Sequence, residues 1–279
     1  LYRWFGNEAF GALDILRPHV ELTRQRAATG GTVRVVYDTT DFAFKGDREE
    51  LGVIEGSVQG FFAHVALAVG PDDKREPLGV LGLHTYVNQD PISRRGLTRS
   101  QQRKLCRQTP RESKTSHRWE GLALNVAREL PDGLEAIHIM DQEADDFVVL
   151  ATLRENDVRF VVRGSQTRRL ADKGPTIEDA LSKEPQTLFR DVHLEHRQKT
   201  KAGARYRARD SRPAELSIRW TQQLAMKRPE DAQCSTKSTT LYAVQVFEAN
   251  PPEGVQAVDW TLLTSEPIYS LDDAARVVE

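Results

Sequence analysis

The stretch Glu135-Ala136-Ile137-His138-Ile139-Met140-Asp141-Gln142-Glu143-Ala144-Asp145-Asp146-Phe147, followed by an apolar-periodic run and then Arg159-Phe160-Val161-Val162-Arg163, decides how this chain of 279 residues is read. Ala136 to Met140 is a short buried strand that runs out at a carboxylate, Asp141. A helix over about 144–155 follows, and a second strand, Phe160 to Val162, ends in Arg163. An acid at the point where a strand runs out faces the crevice beyond the sheet edge, which is where open α/β sheets do chemistry.

Upstream, Val33-Arg34-Val35-Val36-Tyr37 is another β-branched run, and it too ends in an aspartate, Asp38, followed by the polar Thr39-Thr40-Asp41. Asp38 and Asp141 are 103 residues apart, so only the fold can bring them together. Side by side they would form a hard, oxygen-rich site suited to Mg²⁺ or Mn²⁺ rather than zinc. Turns and strand ends also attract aspartate for backbone reasons alone, which is the structural alternative for either acid.

The length allows a full core in one large domain, or one domain with an insertion. Charged residues make up 29% and the mean hydropathy is −0.54, so the chain reads as soluble and globular. No apolar run approaches a membrane span and no secretory signal is visible. Cys106 and Cys234 lack CxxC or Cys/His spacing, against a disulfide framework or structural zinc and in keeping with a reducing cytoplasm. The net charge of −2 hides two basic stretches. Arg94 to Arg118 carries nine Lys/Arg against one acid, and Arg197 to Arg228 ten against two. Each is either a solvated face or the footprint of a surface that meets phosphates.

In chain order, residues 1–29 form a helical lead-in (Phe10, Leu13, Leu16, Val20) that Pro18 interrupts and Gly30-Gly31 closes. After the Asp38 strand come Phe61 to Val69 and Val80 to Val87, a hairpin. A basic, polar segment leads to a helix capped by Ser116 and running through Trp119, Leu122, Val126 and Leu130. Beyond about residue 166 a short helix capped by Thr176 gives way to alternating strands: Leu188 to Leu194, Ala204 to Arg209, Glu215 to Trp220 and Thr239 to Phe247. Trp260 to Thr264 is a return strand, and Ser270 caps a last helix. Three strands, a helix, then alternation is the order of an α/β, ribonuclease H-like core with its first and fourth strands adjacent. The boundaries are 1–30 for the lead-in, 31–165 for the core, 166–256 for a mainly β insertion and 257–279 for the return to the core.

Taken together, Asp38-Thr39-Thr40, Asp141-Gln142-Glu143-Ala144-Asp145, Arg159-Phe160-Val161-Val162-Arg163, Asn250-Pro251-Pro252-Glu253-Gly254 and Trp260-Thr261-Leu262-Leu263-Thr264-Ser265-Glu266-Pro267 carry a resemblance. In this order they resemble the DDE cut-and-paste transposases of bacterial insertion sequences, in the subgroup with a β-strand insertion and a Tyr-Arg-Glu-Lys signature. The resemblance implies that Asp38 and Asp141 are catalytic, metal-binding members of an acidic triad that holds two Mg²⁺ or Mn²⁺ ions. It implies that Arg163 lies beside DNA and that Trp260 stacks on a base flipped out of a transposon end. Without it, Trp260 is equally a core aromatic. Arg118, Arg207 and Arg212, from the basic stretches, complete the expected DNA-binding set. Glu143 and Asp145 are read as acids at a helix start.

Three departures stand out. Gln142 replaces the family's usual Arg, and Thr115 stands for Glu in the Thr115-Ser116-His117-Arg118-Trp119 element. The third acid belongs to the Tyr-Arg-Glu-Lys helix, and the sequence stops before it, so a core fragment is expected. The partners implied are double-stranded DNA, as transposon ends and target, and a second copy in a homodimer, with no membrane; the implied place is the bacterial cytoplasm, at the nucleoid. A catalytically inert DNA-binding remnant, able to inhibit a full-length relative, is the alternative from another class. A ribonuclease H-like nuclease unrelated to transposition fits the acids but not the insertion or Trp260.

Overall fold

The computed structural model describes residues 9, 11–46, 48–55, 58–71, 74–87, 97–165, 168–170, 174–197 and 209–279. They group into two compact units, one within Leu1–Phe160 and Glu230–Cys234, the other within Val161–Pro229 and Ser235–Glu279.

The first unit is organised around strand β1 (Val33–Phe44). Its odd positions Val33, Val35 and Tyr37 are buried, so the alternation expected of a half-buried strand is present in its first half. After a short strand β2 (Gly52–Glu55), β3 (Val58–Val69) runs antiparallel to β1, from Arg34↔Val69 to Phe44↔Gln59. β2 and then β4 (Pro77–Tyr86) pair antiparallel with β3. The other edge of β1 takes β5 (Ala136–Met140) in parallel, from Val33↔Ala136 to Val36↔Ile139. A parallel pair needs a crossover, and the segment between β4 and β5 supplies it with two helices.

Of the helices, α1 (Ala12–Ala27) lies against β4: Val80 N–H donates to His19 Nε2 at 2.9 Å, and Arg26 donates to Leu78 O at 3.0 Å. α2 (Arg99–Gln108) is capped by Thr98, whose hydroxyl accepts from Gln101 N–H at 3.3 Å. α3 (His117–Glu129) buries Trp119, Leu122, Ala123 and Val126, an i, i+3, i+4, i+7 face. That face sits so close to β4 that a Cβ on Gly82 would stand 2.9 Å from Leu122 Cδ1. α4 (Phe147–Glu155) is buried along most of its length.

The chain passes into the second unit within β6 (Arg159–Arg163). There β6 pairs with β11 (Asp259–Thr264), β11 with β10 (Ser238–Phe247), β10 with β8 (Arg212–Trp220) and β8 with β7 (Thr187–Leu194), all antiparallel. β9 (Leu224–Lys227) pairs with the first half of β10. Two short helices, α5 (Ile177–Leu181) and α6 (Leu271–Val278), pack on β10 and are capped by Thr176 and Ser270 through Asp179 and Asp273 N–H.

Several sequence expectations are corrected. Asp38 does not end its strand, because β3 offers ladder partners as far as Phe44 and the polar Asp38-Thr39-Thr40-Asp41 run stays in the sheet. Pro18 lies inside α1 instead of interrupting it, and Leu13 is exposed. The helix after Asp141 starts at Phe147 with Asp146 as its cap, its Oδ1 accepting from Val148 N–H at 2.8 Å, while residues 142–144 form a separate 3-10 turn. Ser116 precedes α3 but makes no cap hydrogen bond; its hydroxyl accepts from Arg111 at 2.8 Å. β2 and β9 were not expected, and the Ala204 to Arg209 strand lies, apart from Arg209, outside the described residues.

Candidate functional site

Partners in the parallel β1–β5 ladder are offset by 103 residues, and so are Asp38 and Asp141. The ladder ends at Val36↔Ile139, two positions short of both acids, so the shared offset brings Asp38 and Asp141 to the same end of neighbouring strands, Asp38 within β1 and Asp141 just past β5. The alternation agrees: Val33, Val35 and Tyr37 are buried on β1 and His138 and Met140 on β5, so Asp38 and Asp141 share the other face. Both acids are exposed. Asp38 Oδ1 accepts from Thr39 N–H and Asp141 Oδ1 from Glu143 N–H, each at 2.8 Å. No other hydrogen bond engages either carboxylate among the described residues. Two exposed, oriented carboxylates with oxygens to spare are a donor set that fits a hard divalent cation. Among the described residues no group of three or more His, Cys, Asp or Glu is arranged to hold a metal ion.

On the buried face, Tyr37 Oη and His138 Nδ1 are 2.7 Å apart with their rings stacked. Burial pushes the tyrosine up and lowers His138 to about 4, so the pair is neutral near pH 7. His64, opposite Thr39 on β3, lies with Nδ1 2.9 Å from Thr39 Oγ1 and meets Trp119 edge to face. Burial first, then the charge of Arg118, lowers His64 to about 4.

Arg118 was expected on DNA. Its side chain is 9% exposed and its guanidinium is engaged within the unit, donating to Thr39 Oγ1 at 3.3 Å, to Thr115 O at 2.7 Å and to Glu143. Arg111, from the same basic stretch, is also turned inward, bonded to the buried Glu120 at 2.5 Å.

The second unit holds a depression of about 460 Å³ lined by Arg163, Arg197, Arg209, Asp210, Arg212 and the 254–260 segment, which includes Trp260. Three expected DNA contacts, Arg163, Arg212 and Trp260, therefore share one pocket; Arg207 lies outside the described residues. Trp260 is 42% exposed on β11, so it is not the core aromatic of the structural alternative. Arg212 is both lining and support: its two terminal nitrogens grip Glu248 at 2.5 and 2.7 Å, and Glu248 is 6% exposed. That fork holds Glu248 below the usual carboxylate range and raises Arg212. Arg197 and Arg209 exchange backbone hydrogen bonds at 2.8 and 2.9 Å, which fixes both beside the pocket. Sequence reasoning did not single them out, although both lie in the second basic stretch. His64 carried no signal and Thr39 only one as part of the Asp38-Thr39-Thr40 run, since the contact between them comes from cross-strand pairing.

No family model matches the chain. Seven chains of solved structures do. One, from the cryo-EM structure of the piggyBac transposase synaptic complex with hairpin DNA, is 10% identical with a TM-score of 0.31, over 93% of this chain and 39% of that one. The present chain thus spans about two fifths of that chain's length. A likeness at that level carries no functional argument. No helix among the described residues is long and apolar enough to cross a membrane.

Proposed function

We propose that this chain is the ribonuclease H-like core of a DNA transposase of the DDE class, which cuts transposon ends and joins them to target DNA by phosphoryl transfer. The observation that carries the reading is the 103-residue offset shared by the β1–β5 ladder and by Asp38 and Asp141. The strand order β4–β3–β1–β5, antiparallel and then parallel, supports the ribonuclease H-like assignment.

Asp38 and Asp141 would hold Mg²⁺ or Mn²⁺, and two such ions, when bound, supply an activated oxygen nucleophile and stabilisation of the departing oxyanion. The backbone N–H groups of Thr39 and Glu143 fix the carboxylates that face the reacting phosphate. In the second unit, the arginines of the pocket meet DNA phosphates and the exposed Trp260 ring offers a stacking face to a base. The DNA is double-stranded, and the acting species is a homodimer of the whole protein in the bacterial cytoplasm.

The test is metal-dependent nicking of a duplex carrying inverted-repeat ends. Asp141→Ala should lower the nicking rate on the order of a thousandfold, the worth of several kcal/mol of charge stabilisation, with duplex affinity unchanged. Nicking at the wild-type rate in that variant overturns the proposal. A second reading, DNA binding without cleavage, is favoured by the pocket that gathers Arg163, Arg197, Arg209 and Arg212 beside the exposed Trp260. It requires a wild-type chain that does not nick and whose log affinity falls with log salt by about 0.9 per neutralised phosphate.

A further inference from the structure

We infer that Arg118 is the positioning residue of the Asp38 and Asp141 pair, because its side chain ties together the two residues whose backbone N–H groups hold those acids; the inference rests on the metal-site reading above. Thr39 N–H donates to Asp38 Oδ1, and Arg118 Nε donates to Thr39 Oγ1. Glu143 N–H donates to Asp141 Oδ1, and Arg118 donates through a terminal nitrogen to Glu143 Oε2. One planar guanidinium therefore reaches both β1 and the 3-10 turn that follows β5, with the same two-step path to each carboxylate.

The guanidinium is itself fixed. Its other terminal nitrogen donates to Thr115 O at 2.7 Å, and it lies 5.5 Å from the ring centroids of both Tyr86 and Trp119. Thr39 is held from a second side by His64 at 2.9 Å, so its hydroxyl cannot swing away without breaking two contacts. A lysine at 118 would place one point charge where three divergent donors are used, so it could satisfy one arm but not both. Two adjacent carboxylates repel one another until a cation arrives. A permanent charge anchored to both supporting residues, with 9% of its side chain exposed, keeps them in place in the interval.

The experiment uses the 279-residue chain and two readouts besides catalysis. Mn²⁺ binding is titrated by electron paramagnetic resonance, and the number of waters on bound Tb³⁺ is taken from its luminescence lifetimes in H₂O and D₂O. Arg118→Lys should weaken Mn²⁺ binding roughly tenfold, the usual loss when a residue behind a metal ligand is changed, and should raise the Tb³⁺ hydration number. Glu143→Gln, at a side chain 57% exposed, should do the same from the Asp141 side without threatening the fold. Ethylguanidinium added to Arg118→Ala should restore Mn²⁺ affinity where ethylammonium does not, a rescue that a merely structural arginine would not show. Wild-type Mn²⁺ affinity in both folded Arg118→Lys and Glu143→Gln overturns the inference. So does a drop of about 0.9 in the salt slope of duplex binding at constant Mn²⁺ affinity, which would make Arg118 a phosphate contact. Mn²⁺ binding that is unchanged in Asp38→Asn and Asp141→Asn brings down the metal-site reading itself and the inference with it.

Discussion

Near the acids of the first unit two arginines are turned inward while two carboxylates are exposed; at the pocket of the second unit arginines form the lining while one carboxylate is buried. Arg111 and Arg118 are turned inward onto Glu120, Thr39 and Glu143, while Asp38 and Asp141 are exposed. In the second unit Glu248 is buried under Arg212, and Arg163, Arg197 and Arg209 line an open pocket beside Trp260. Two basic stretches that look alike in sequence thus do different work. The partners differ: Arg111 and Arg212 face buried carboxylates, which are costly to leave unpaired, Arg118 is fixed by Thr39, Thr115 and Glu143, and Arg209 lines the pocket while donating to Glu195 O.

The contrast breaks most visibly at Arg212. Arg212→Leu leaves Glu248 buried and without its fork, and should cost about 3 kcal/mol of stability, read as a lowered urea midpoint; adding Glu248→Leu should recover most of the loss. If Arg212→Leu alone unfolds no more easily than wild type, the pair is not a support and Arg212 belongs with the binding residues. The linked pH effect has a definite sign. Glu248 is held below its ordinary value, so its contribution is present above the ordinary carboxylate pKa and is lost as pH falls through the lower, folded value.

A second effect of similar size belongs to the first unit alone. His138 is lowered from 6.5 to about 4, so the unfolded chain binds a proton there that the folded chain refuses. Stability should fall as pH drops from about 6.5 to about 4, by about 3 kcal/mol in all, and level off below that. His138→Gln should flatten this part of the curve; denaturation at a series of pH values in both proteins would show an unaltered slope if His138 is not the group responsible.

The smallest effect sharpens the distinction between support and rim. Trp260→Ala should leave the thermal midpoint nearly unchanged, since the ring is 42% exposed, yet should weaken DNA binding by roughly 1–3 kcal/mol, the worth of one base on one aromatic face. Fluorescence anisotropy of labelled duplex with unpaired end bases measures it. A large loss of stability with unchanged affinity would place Trp260 among the packing residues.

The sequence misjudged the extent of β1 for a local reason. A window centred on Asp38-Thr39-Thr40-Asp41 is polar and looks like a turn, yet those residues stay extended because β3 supplies backbone partners from 20 to 30 residues away, and no local pattern records them. Ser116 was misjudged in its role alone. It precedes a helix, as cap residues do, but Arg111 engages its hydroxyl. A basic run shows charge but not direction; for Arg118 the direction is set by Thr39, Tyr86, Trp119 and Glu143, which come from four separate parts of the chain.

By itself the sequence determined most of the strands and helices through apolar period and capping residues, though not β2, β9, α2 or the full length of β1, and marked Asp38, Asp141 and the arginine-rich stretches as the places where chemistry could sit. Those signals are local, carried within a few residues of one another. The tertiary structure alone decided that β1 and β5 pair in parallel at the same 103-residue offset that separates Asp38 from Asp141, because parallel register is set by the core faces of the two strands. It alone decided which arginines are turned inward, as Arg111 and Arg118 are, and which line a pocket. Both outcomes depend on desolvation, and desolvation is a property of the packed chain rather than of any stretch of it.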